Sequence, residues 1–193
     1  MRRFPGPVVG ALIGAVFGTV FVLVNAHAPL APAAGIALRI AAVVALGAVI
    51  LLGVVVSRKT ESAGAADRRP GEGMFGPRYR WVVLAEAVAL FGGFPVLRQL
   101  GAPTEANVAW IAIVVGVHFL VLARVWSEST ILIPGAGLTL LGITGFALAA
   151  ASSENWIPAV SGVGSGLVLL AGSLGFVLRE HFAGDASGLV ENR

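Results

Sequence analysis

Six long apolar runs divide this chain: Pro7–Ala26, Ala34–Val56, Trp81–Leu97, Ala106–Ala123, Ile131–Ser152 and Trp156–Leu178. Each is about long enough to cross a ~30 Å hydrocarbon core at ~1.5 Å of rise per helical residue. The fold class they predict is all-α, a polytopic bundle of six transmembrane helices. Composition agrees. Of the 193 residues, 57% are hydrophobic before the 26 glycines are counted, and 12% are charged. A water-soluble domain of this size could not hide so much apolar surface. The chain reads as one membrane domain over 1–193, with a basic loop at 57–80 and a short tail at 179–193. The loop is rich in Gly, Ala and Arg, a composition that reads as flexible.

Basic residues set the orientation. All but Lys59 are arginine. One set of loops and ends carries eleven of them: Arg2 and Arg3, the six between Arg58 and Arg80, Arg124, Arg179 and Arg193. The opposite set holds Arg98, and Arg39 falls within the second run. Positive charge concentrates on the cytoplasmic side, so both termini are expected inside, with 57–80 and 179–193 cytoplasmic. The arginine-rich, Ala-, Gly- and Val-dominated composition suits a bacterial inner membrane. The basic residues flank apolar runs and form no single patch, so nucleic acid is not an expected partner. Met1-Arg2-Arg3, the first run and Ala26-His27-Ala28 also resemble a signal peptide with an A-x-A site. Pro29 after the site, the length of the run and its glycine face favour a retained first span.

Small residues are the expected packing signal, because lipid offers no hydrophobic drive to pair helices. Gly10, Gly14 and Gly18 line one face of the first run, and Gly162 and Gly166 recur in the sixth. These predict close helix contacts within the chain, with a homo-oligomer or another membrane protein as the alternative partner. The third run contains Gly92-Gly93-Phe94-Pro95, where proline removes a backbone hydrogen bond and a bend is expected. Trp81, Trp110, Trp126 and Trp156 stand near span ends, as an interfacial belt requires.

Two ionisable residues interrupt the apolar runs. Glu86 lies six residues beyond Arg80, and His118 six residues before Arg124. Six residues of helix span about 9 Å, so the two should share a depth in the cytoplasmic half of the bilayer. A short loop joins their runs, which makes them neighbours. A lone carboxylate in hydrocarbon costs several kcal/mol, so a Glu86–His118 pair, direct or bridged by water, is expected. The pair can serve proton transfer or ligand binding; equally, it can be a polar clamp between two helices. Near the other face, Arg39, Asn25 and His27 fall at similar levels and form a candidate outer polar cap, with anion binding by Arg39 as an alternative.

Several chemistries lack their residues. The chain has no cysteine, which removes disulfides and thiolate metal sites. No G-x-x-x-x-G-K-[ST] or H-E-x-x-H run occurs. His27, His118 and His181 fall at three different depths, so a bis-histidine haem within one chain is not expected. No cofactor and no metal site is expected. Gly162-Val163-Gly164-Ser165-Gly166 resembles an intramembrane serine protease segment, but Ser165 belongs to the outer half and His118 to the inner.

The fourth run reads Val115-Gly116-Val117-His118-Phe119-Leu120-Val121-Leu122-Ala123. It resembles the V-G-x-H-F-x-x-L-A segment of a group of uncharacterised small multi-pass bacterial membrane proteins. Those proteins also place a glutamate in the preceding helix, here Glu86. The resemblance covers runs three and four and implies no activity. The leading functional expectation is a small transporter, channel or permeation subunit using Glu86 and His118 as a proton-responsive pair. The alternative is a structural or accessory membrane protein in which the pair is only a clamp. A lipid- or quinone-modifying enzyme would need more convergent polar groups than one such pair supplies.

Overall fold

The computed structural model describes residues 6–62 and 76–191. Every regular element among them is helical: α1 (Gly6–Asn25), α2 (Pro32–Ser62), α3 (Pro77–Gln99), α4 (Ala106–Trp126), α5 (Leu132–Ala150) and α6 (Gly164–Glu191). Short 3-10 turns at Ser129–Ile131 and Glu154–Trp156 precede α5 and the sixth span, and a π-helical segment, Pro158–Val163, leads into α6. Among the described residues six helices are long and apolar enough to cross a membrane. The loop expected over 57–80 is shorter than its polar composition suggests. Helix α2 continues to Ser62 and α3 begins at Pro77, while 63–75 lies outside the described residues. Likewise α6 runs on to Glu191, so the segment expected to be a tail continues a helix. Polar composition ends the apolar run in each case without ending the helix, because Ser, Lys, Glu and Arg still tolerate helical backbone.

The outer surface is apolar. Leu51 is 70% exposed, Phe91 74% and Ile133 78%, which suits a lipid-facing wall rather than a watery one. The inside is built from small groups. Helices α1, α2 and α6 share one cluster around Ala15, Val22, Val49 and Val177. A second joins Phe21, Val115, Leu138 and Leu169 from α1, α4, α5 and α6. The π-helical segment touches α1, α4 and α5 and so sits among them. Helix α3 is the outlier: it packs chiefly against α4, and no residue of its apolar window is buried.

Glycines decide how close the helices come. A Cβ on Gly18 would lie 2.8 Å from the Gly166 carbonyl oxygen, and one on Gly166 would lie 2.6 Å from that of Gly18. Gly14 faces Ser173, and Gly162 accommodates the side chain of Asn25. The two small-residue faces singled out in the sequence thus meet as the α1–α6 contact. Gly10 differs: it is exposed, with nothing within 4 Å of a Cβ placed there. Between α4 and α5 the backbones approach as closely, since a Cβ on Gly116 would lie 2.5 Å from the Thr139 amide nitrogen. Pro95 lies inside α3, which continues through it to Gln99.

Candidate functional site

Glu86 and His118 meet across the α3–α4 contact. His118 Nδ1 lies 3.1 Å from Glu86 Oε2. The approach is close but off the line of a ring N–H, so Nδ1 is buried without an aligned hydrogen-bond partner. It is an ion-pair distance rather than a directed bond, and its charge depends on where the proton sits. The side chains are 21% and 11% exposed, Glu86 and His118 respectively, so neither is sealed in a core. Phe119 lies edge-on to the His118 ring at a centroid distance of 5.8 Å. Sequence placed these two at one depth because each stands the same distance from a flanking arginine; helical rise along antiparallel neighbours then makes them face each other.

Two further contacts tie α3 to α4. Trp110 Nε1 donates to the Ala89 carbonyl oxygen at 3.1 Å. Its indole occupies the place a Cβ would take on Gly93, so this glycine is required as the seat of a ring. Toward the other end, Tyr79 stacks on Trp126 with ring centroids 5.9 Å apart. Position near the span ends predicts a belt for Trp110 and Trp126 and gives no hint of helix coupling. Both instead couple helices, whereas Trp81 at 71% and Trp156 at 48% exposure face outward as a belt would. The signal for Trp110 was present in the small residues Ala89 and Gly93, one helical turn apart on the facing helix.

The outer candidates do not converge. Asn25 donates to the Phe21 carbonyl oxygen at 2.8 Å and is buried against Gly162. His27 is exposed, with Nδ1 3.0 Å from the Ala28 carbonyl oxygen. Arg39 is half-buried and its Nε lacks a partner. Among the described residues no hydrogen bond or ion pair links the three. Side chains at one level of a helix pair can point around different faces, and α1 turns Asn25 toward Gly162 of the π-helical segment. Ser165 is fully buried and its hydroxyl has no partner; His118 is engaged by Glu86 instead. Ser161, one turn earlier, donates to the Leu141 carbonyl oxygen at 2.8 Å, pinning the π-helical segment to α5.

A cavity of about 690 Å³ opens elsewhere, between α1, α6 and the junction of α4 with α5. Neither Glu86 nor His118 lines it. Comparison with family models, with curated proteins and with solved structures gave no match.

Proposed function

We propose that this chain is a small multi-pass membrane protein of structural or accessory type, in which Glu86 and His118 act as a polar clamp. The observation that carries this reading is the position of the pair. It lies in the contact between α4 and α3, a helix that otherwise has little purchase on the bundle, and neither of its members lines the 690 Å³ cavity. In hydrocarbon, a carboxyl and an imidazole that satisfy each other hold two helices together, because separating them leaves two polar groups in lipid. The basic residues support an orientation with both termini in the cytoplasm of a bacterial inner membrane.

A second reading is transport, with the same pair as the proton site. It is favoured by the unaligned Nδ1, which leaves the proton of the pair without a directed bond to hold it. One experiment separates the two. Purified protein is reconstituted in liposomes, and proton uptake under a pH gradient is compared for the native chain, Glu86→Gln and Glu86→Leu, alongside melting in detergent. A clamp gives no proton flux, a nearly native Glu86→Gln and a destabilised Glu86→Leu, in which His118 is left alone. Proton flux that disappears in Glu86→Gln while the fold is kept would replace the clamp with transport.

A further inference from the structure

The cavity of about 690 Å³ falls within the size range of small-molecule sites. Bare glycines create it. Gly10 on α1 and Gly175 on α6 have nothing within 4 Å of an added Cβ, and at Gly172 the nearest atom is Pro134 Cγ at 4.0 Å. Farther along the same two helices Gly18 and Gly166 are packed backbone against backbone, so the open glycines mark a groove beside a tight contact. Phe119, Ile133 and Leu169 make its walls apolar.

Its rim is charged, and with both signs. Arg179, at the end of the sixth apolar run, and Glu128, in the α4–α5 junction, both border the opening. Arg179 is exposed and has no hydrogen bond among the described residues. Glu128 is held in place: the Thr130 hydroxyl donates to its Oε1 at 2.8 Å and the Thr130 amide at 3.3 Å. These two bonds, and less strongly the charge of Arg179, hold the Glu128 carboxyl below the usual carboxylate range, so it is ionised at neutral pH. The left-handed backbone of Ser127, with φ of 54°, ends α4 sharply and brings Glu128 to this rim.

We propose that the groove holds one membrane phospholipid with an ethanolamine headgroup. An acyl chain lies along the glycine floor between α1 and α6, the phosphate meets Arg179, and the ammonium meets Glu128. Each part of the site matches one part of that molecule. The apolar trough takes hydrocarbon, an exposed guanidinium takes a phosphate, and an oriented carboxylate takes a primary ammonium, which can donate hydrogen bonds where a quaternary one cannot. The site lies at the end of the spans where the apolar run gives way to Arg179, the level of lipid headgroups.

Native mass spectrometry of the full chain released from detergent tests this with phosphatidylethanolamine, phosphatidylcholine and phosphatidylglycerol, each added separately. The expected result is one phosphatidylethanolamine retained per chain, with the other two retained about tenfold less, since choline cannot donate a hydrogen bond to Glu128 and glycerol brings it no positive charge. A Cβ at Gly172 has only Pro134 Cγ near it, at 4.0 Å, so Gly172→Leu has room to extend into the trough and should abolish retention while melting as the native protein does. Arg179→Gln and Glu128→Gln alter exposed groups outside the core, and each should weaken retention about tenfold. Equal retention of all three lipids, no retention at all, or retention unchanged in Gly172→Leu and in Arg179→Gln would overturn the proposal. The first of these outcomes would mean ordinary solvation of the helices by lipid.

Discussion

A Cβ on Gly18 would press on the Gly166 carbonyl oxygen at 2.8 Å, backbone against backbone, whereas one on Gly10 meets nothing within 4 Å. The two positions share a sequence pattern and differ in what it accomplishes. Gly18→Leu should therefore destabilise by about 2 kcal/mol or more, since a helix backbone cannot step aside as a side chain can. Gly10→Leu should stay within about 0.5 kcal/mol of the native protein. Thermal melts in detergent compare them, and equal effects would mean that α1 and α6 do not cross at Gly18. Trp110→Phe removes the 3.1 Å bond to the Ala89 carbonyl but keeps most of the ring in its seat. Its expected loss is about 1 kcal/mol, the net value of one hydrogen bond. A larger loss would indicate that the ring's packing on Gly93 changes too. The Glu86–His118 approach belongs to this scale as well. Equal spacing from Arg80 and Arg124 made the pair legible, but the skewed angle at Nδ1 was not, because rotamers and helix rotation do not follow from spacing.

Among the elements, α3 is fastened to α4 at three heights: Tyr79 on Trp126, Glu86 on His118, and Trp110 in the Gly93 seat. With so little of its surface shared with other helices, it should be the first to open. Hydrogen exchange in micelles should show α3 amides exchanging faster than those of α1 or α6. Gly93→Leu, which drives a side chain into the indole, should raise α3 exchange further and leave the α1–α6 pair unaffected. Protection in α3 equal to that in α6 would argue that another surface covers it. The apolar length of the third run announced a helix but carried no information on its neighbours, since lipid-facing and helix-facing residues are alike apolar. The π-helical segment at Pro158–Val163 escaped sequence reading for a related reason. Its register depends on Ser161 reaching the Leu141 carbonyl on another helix.

For the whole molecule, the lack of cysteine allows a clean topology test. In intact cells an impermeant thiol reagent should label Thr104→Cys, in the α3–α4 loop, and leave Ser129→Cys, in the α4–α5 junction, unlabelled. The reverse pattern would invert the proposed orientation. What the sequence determined by itself was the number and helical nature of the long apolar elements, though not where each helix ends. A hydrocarbon core of set thickness allows a backbone run of this kind few other solutions, and the period and depth of its polar interruptions follow from helical rise. It also marked which small residues could let helices meet. The tertiary structure alone decided which of them do: Gly14, Gly18 and Gly166 in the α1–α6 contact, Gly162 of the π-helical segment against Asn25, Gly116 against α5, and Gly10 bordering open space. It alone packed α3 chiefly against α4, left Arg39, Asn25 and His27 with no hydrogen bond to one another among the described residues, and opened the groove beside Arg179 and Glu128. The physical reason is that in lipid, apolarity no longer distinguishes inside from outside. Neighbours are chosen by shape and by a few polar contacts, and these depend on how helices turn about their axes, which a sequence of apolar residues leaves open.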